Sequence, residues 1–180
     1  MIVKTTKIDA AIRQLDVAID LLFEDREPLA VRTLGAAAHT LLTDLVEIRK
    51  PGESWREKVV SDSSLPRKAV LRVLNEGANF LKHADRDAAG SLSFEETEND
   101  ELLFLATLEC GELGTQLSMR MQVFQIWFIA SRPEIFSQEE RFAAANKLFP
   151  EMGKIDRRIQ LARGKALIRQ IKERGEAENA

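Results

Sequence analysis

The sequence predicts an all-α fold, a multi-helix antiparallel bundle that ends in a basic helix. Three observations support this prediction. Apolar residues recur every three or four positions, the alternating pattern of β-strands is nearly absent, and capping residues, prolines and glycines divide the chain into helix-length segments. The 180 residues, of which 44% are hydrophobic and 31% charged, are enough to build one core without disulfides.

The first two helices are expected to form an antiparallel hairpin. One apolar stripe predicts a helix over residues 6–24, and a second predicts a helix over 28–48, which Pro51 and Gly52 terminate. The short link over 25–27 leaves the two helices side by side.

The middle of the chain is expected to alternate helices with polar loops. Ser54 to Glu57 matches a capping box and predicts a short third helix. The fourth helix is predicted over 66–84, with Val73 on its buried face, and a polar loop over 85–100 follows. The remaining helices are predicted over 101–113, over 117–130, from a second capping box at 137–140, and over the basic segment from 154.

Composition narrows the classes of function. The single cysteine, Cys110, makes no internal disulfide and favours a reducing compartment, so we expect a cytoplasmic protein. The most apolar stretch, 123–130, is too short to cross a bilayer, so no membrane partner is expected. Tyrosine is absent and aromatics are scarce, which disfavours a platform for stacking bases.

Charge divides the chain into an acidic body over 1–153, a basic helix over 154–174 and a tail over 175–180. The basic helix holds eight cations and two acids, and an excess of this kind suits the phosphates of RNA or DNA. The candidate nucleic-acid residues are Arg157, Arg158, Arg163, Lys165 and Arg169. The same helix could instead dock on the acidic body or carry charge pairs between successive turns.

Asn79 and His83 are the candidate catalytic residues. At about 100° per residue they share a helix face with Arg72 and Glu76. An imidazole beside an amide and a carboxylate can act as a general acid or base near neutral pH. The alternative is a solvated polar face without chemistry.

The run from Ala78 to His83 resembles the motif of the HEPN superfamily (higher eukaryotes and prokaryotes nucleotide-binding). That motif is an arginine, a polar residue, three variable residues and a histidine; Asn79 and His83 match, while Ala78 stands at the arginine position. More loosely, the run is similar to one in uncharacterised bacterial proteins. The resemblance implies a small helical bundle, a ribonuclease or an inactive relative. Arg72 is ~16 Å along the helix from His83 and cannot replace the missing arginine.

The loop after this motif resembles an EF-hand calcium loop. Asp85, Asp87, Gly90 and Glu96 match its positions 1, 3, 6 and 12, whereas Ala89 leaves position 5 without a ligand. We therefore expect no cofactor beyond a possible weak Ca²⁺ site, the alternative being an acidic loop that caps the next helix.

Three further features have both a structural and a functional interpretation. His39 and Cys110 are expected to be packed side chains rather than a metal ligand and a nucleophile. Phe124, Trp127 and Phe128 are expected in the core or in a dimer seam. Together these features predict a module that interacts with RNA or with a protein and has no strong catalytic activity. We also expect it to be a homo-oligomer, such as a dimer. The alternatives are a weak metal-independent ribonuclease using His83 and a calcium-binding or structural dimer.

Overall fold

The computed structural model describes residues 2–83, 85 and 88–177. Within them the chain forms nine α-helices, one 3-10 turn and no strand, which confirms the all-α prediction. The helices are α1 (Lys7–Phe23), α2 (Pro28–Arg49), α3 (Trp55–Asp62), α4 (Arg67–Lys82), α5 (Glu98–Glu112), α6 (Met119–Ser131), α7 (Pro133–Phe136), α8 (Glu140–Leu148) and α9 (Arg157–Ala177), with the 3-10 turn (Met152–Lys154) before α9.

Helices α1 and α2 form the expected hairpin and pack closely on each other. The Thr6 side chain caps α1 by accepting a hydrogen bond from the backbone N–H of Asp9. Asp25 takes a left-handed conformation (φ 54°) in the turn, and Pro28 opens α2, where its missing N–H costs nothing.

The core lies where α1, α2, α5 and α6 meet, and its aromatic side chains come mainly from α6. Trp127 and Phe124 are fully buried, and Phe23 meets Trp127 edge to face with ring centroids 5.2 Å apart. Phe104 and Phe128 stack at 4.3 Å. The α6 aromatics therefore belong to the core and supply no dimer seam.

Helix α4 differs from its predicted burial. It rests on α2 through Val70, Gly77 and Ala78, which are buried, whereas Val73 is 63% exposed. The apolar side of α4 is broader than the surface that α2 offers it, so the expectation that Val73 is buried is wrong. The predicted loop over 85–100 also ends early, because acidic side chains in the first turn of α5 favour a helix start at Glu98.

Two more helix starts differ from the prediction. Pro133 opens the short α7, and Ser137 ends that helix instead of capping the next one. Helix α8 begins at Glu140 without a side-chain cap. The basic helix begins at Arg157 rather than at residue 154, since a 3-10 turn comes first. The Asp156 carboxylate accepts from the backbone N–H of Arg158 at this start.

Candidate functional site

His83 lies at the C-terminal end of α4. Its N–H still donates to the Asn79 carbonyl (3.1 Å), but its backbone has left the helical region (φ −129°, ψ 68°), so the expected helical face ends at Asn79. The imidazole is 36% exposed, and its Nδ1 is 3.9 Å from a carboxylate oxygen of the exposed Asp85. Asn79 is also exposed. The pair is therefore open to solvent rather than set in a cleft.

Ala78, at the position where the HEPN motif has an arginine, faces the protein interior. Ala78 is 9% exposed and packs in a small apolar cluster with Ala36 of α2 and Leu102 of α5. A guanidinium at this position would be buried between helices, away from any phosphate beside His83.

The calcium-loop residues lie only partly within the described chain. Asp85 and Glu96 are exposed, and Asp87 lies outside the described residues. Where the chain is described, no three Asp, Glu, His or Cys side chains come together as a metal site requires. Calcium binding by this loop stays a prediction.

The basic helix is fastened to the body by Arg157. Its two terminal nitrogens donate to the two oxygens of Asp100, over 2.8 and 2.6 Å, and its guanidinium lies 5.1 Å from the ring centroid of Trp127. Asp100 is fully buried, and Arg132 adds a third bond at 3.3 Å. Arg157 is thus committed to an internal ion pair.

The remaining cations of α9 divide between two faces. At about 100° per residue, four of them fall within ~60° of one another, next to the buried side of the helix. We name this set the basic stripe: Arg158, Lys165, Arg169 and Lys172, all exposed. Arg163 lies on the other side of α9 and donates to the carbonyl of Pro150 (2.7 Å).

Acidic neighbours reduce the charge of the basic stripe without burying it. Lys165 is 4.0 Å from Glu24 of α1, and Arg169 bonds Glu173 one turn later (2.7 Å). More than two fifths of each side chain in both pairs is exposed. Water screens exposed pairs of this kind, so they contribute little to stability and a phosphate can displace the carboxylate.

A buried polar cluster joins α2, α3 and α5, and sequence reasoning missed most of it. Glu109 is fully buried, and its Oε1 accepts from the Thr43 hydroxyl (3.1 Å) and the Arg56 N–H (3.2 Å). Among the described residues, its Oε2 has no hydrogen-bond partner. His39 lies one turn before Thr43 and is buried as expected, with Nε2 unpaired.

The pKa values of this cluster follow from its burial. Burial raises the pKa of the Glu109 carboxyl, against the lowering effect of the backbone N–H groups of Arg56 and Trp55. Burial, and secondarily the Arg56 charge, lowers the pKa of His39 to about 4. At neutral pH the imidazole is uncharged. The cluster joins three helices through hydrogen bonds between buried side chains and backbone.

Comparison of the chain with protein-family models, with curated proteins and with solved structures finds no match. No helix in the described ranges has the length and apolar character that crossing a membrane requires.

Proposed function

We propose that this protein is a HEPN-like helical module that binds the phosphodiester backbone of RNA through the basic stripe and has no strong catalytic activity. The observation that supports the proposal is the alignment of four exposed cations along ~21 Å of one helix face. Lysine and arginine side chains in such a row can neutralise successive phosphates of a nucleic-acid strand.

The geometry also narrows the set of binding residues. Arg157 and Arg163 were predicted from the sequence as nucleic-acid residues. Arg157 bonds Asp100 and Arg163 bonds the Pro150 carbonyl, so neither belongs to the proposed binding surface. Lys172 replaces them in the stripe. The resemblance around Asn79 and His83 favours RNA as the source of the phosphates.

The test is RNA binding as a function of salt. The anisotropy of a labelled single-stranded oligouridylate, measured from about 50 to 200 mM salt, should show an affinity that falls with a log–log slope of ~0.7 per phosphate contact. In the variant Arg158→Glu/Lys172→Glu the affinity should fall, and the slope should decrease by ~1.4 or more.

The matched control is Arg49→Glu/Lys68→Glu, which changes net charge equally at two exposed cations outside the stripe. It should bind nearly as well as the unaltered chain. Equal losses in both variants, or no binding at the lowest salt, would show that the stripe is no RNA site. An oligothymidylate of the same length tells whether the stripe distinguishes RNA from DNA.

A further inference from the structure

A groove between α6 and α8 is apolar and open to solvent. Its volume is about 440 Å³. It is lined by Gln125, Ile126 and Ile129 of α6 and by Arg141, Ala144, Ala145 and Leu148 of α8. The two alanines leave a trough between the helices, and Leu148, 56% exposed, forms one end of it. Such grooves accept the apolar face of a helix.

The charge of the groove selects its occupant. Arg141 is the charged residue of the lining, and the structure shows no ion pair for it within the described chain. No carboxylate lines the groove. A helix that presents apolar side chains together with one carboxylate would therefore complement it.

Helix α4 of the same chain carries a face of this kind. Val73 and Phe80 are 63% and 38% exposed and lie two turns apart on one side of the helix. Glu76, also exposed, lies between them within ~60° around the axis. We call Val73, Glu76 and Phe80 the α4 face. It spans ~10 Å, the same length as the α8 wall of the groove from Arg141 to Leu148.

Within one copy the α4 face and the groove lie on different parts of the bundle. Helix α4 packs on α2 and α3, whereas α8 packs on α6 and α7. A contact between the face and the groove therefore has to join two molecules.

We propose that copies of this chain associate head to tail, with the α4 face of one copy seated in the α6–α8 groove of the next. Val73 and Phe80 fill the trough, and Glu76 pairs with Arg141. A contact between two different surfaces leaves one face and one groove free at the ends, so it closes into a ring or extends into a chain. This association is independent of the proposed RNA binding.

The test is to measure the mass of the full chain in solution by sedimentation velocity over a range of concentrations, without nucleic acid. The unaltered chain should form species larger than the monomer. Glu76→Arg and Arg141→Glu should each weaken association by roughly ten-fold or more, because each places like charges together in the contact. The double variant Glu76→Arg/Arg141→Glu should restore association.

Two further variants distinguish this contact from a general effect of charge or folding. Lys147→Glu, at an exposed position of α8 outside the groove lining, should associate normally. Ala144→Phe should fill the trough and abolish association. A chain that stays monomeric at every concentration, or single variants that associate as strongly as the unaltered chain, would overturn the proposal. So would a double variant that recovers nothing.

Discussion

Both terminal nitrogens of Arg157 bond the two carboxylate oxygens of Asp100, and no part of the Asp100 side chain reaches solvent. The pair ties the first residue of α9 to the first turn of α5. The ion pair also places Arg157 in a different environment from its neighbour Arg158, which remains exposed in the basic stripe. The two adjacent arginines therefore have different roles, one in docking the helix and one in the proposed binding of phosphate.

Removing Asp100 should release the start of α9. In Asp100→Ala the guanidinium of Arg157 is left beside the core without its carboxylate, and breaking a buried pair of this kind costs about 3–5 kcal/mol. Urea unfolding followed by circular dichroism measures the loss. Arg158→Ala is the matched control and should change the free energy of unfolding by no more than ~0.5 kcal/mol, as exposed substitutions do. Similar values for both variants would show that the pair does not anchor α9.

The close approach of α9 to α1 depends on Gly164. A Cβ built at Gly164 would lie 2.3 Å from a ring carbon of Phe23, which is itself buried against Trp127. Gly164→Ala should therefore lower the free energy of unfolding by ~1–3 kcal/mol, because the ring has to move within a packed core.

Gly111 is the control for this effect. It also lies in a helix, but no heavy atom comes within 4 Å of the position of its Cβ. Gly111→Ala should raise the free energy of unfolding by ~0.5–1 kcal/mol through the lower entropy of the unfolded chain. Thermal or urea unfolding compares the two variants. A stabilising effect of Gly164→Ala would mean that α9 does not pack against Phe23.

Local signals in the sequence were enough to predict eight of the nine α-helices in the described chain, all but the short α7, because these signals depend on neighbouring residues. The capping of α3 is an example: Ser54 accepts from the N–H of Glu57, as the spacing predicts. The predictions for Val73 and Ser137 were wrong because their outcomes depend on how far α2 covers α4 and on the added helix α7. The extent of α2 is not encoded near Val73, whereas the signal for α7 is Pro133, four residues before Ser137, at the first position of that helix.

The candidate site was less predictable for the same reason. Arg157 and Arg158 are identical in type and adjacent, and only the position of Asp100, 57 residues before Arg157, decides which one is free. Glu109 did leave a signal in the sequence. It lies seven residues after Leu102 and is the only charged residue between 102 and 110, and a single carboxylate within such an apolar run indicates a buried polar contact.

Stability should depend on the protonation of His39. Its pKa is lowered to about 4 in the folded protein, whereas in the unfolded chain it should be near 6.5. The unfolded state therefore binds the proton first as the pH falls. The contribution of neutral His39 is fully present above about pH 6.5 and is lost as the pH falls towards about 4, by up to ~3 kcal/mol.

Urea unfolding at several pH values between these limits tests the dependence. The variant His39→Gln, which cannot take up a proton, should show a flatter profile than the unaltered chain. Hydrogen bonds lower the pKa values of Glu47 and Glu57, so protonation of these carboxylates also destabilises the fold as the pH falls. This effect is the same in the unaltered chain and in His39→Gln. The difference between the two profiles thus isolates His39, and parallel profiles would contradict its burial in the neutral form.

RNA bound at the basic stripe should remain intact, and His83 should not matter for its integrity. Ala78 faces the interior where the related motif has an arginine, and the exposed His83 has only the more exposed Asp85 as an acidic neighbour within 4 Å in the described chain. Because no arginine stands at position 78 to hold a phosphate beside the imidazole, general acid–base catalysis lacks the electrostatic partner that the motif supplies.

Gel analysis of a labelled RNA incubated with the chain near neutral pH measures cleavage. The unaltered chain and His83→Ala should give the same result, and so should Lys82→Ala, which alters an exposed neighbour. Cleavage that disappears in His83→Ala and persists in Lys82→Ala would favour the ribonuclease alternative. In that case the guanidinium would have to come from another helix or from a second copy of the chain, because Arg72 is ~16 Å away along the helix.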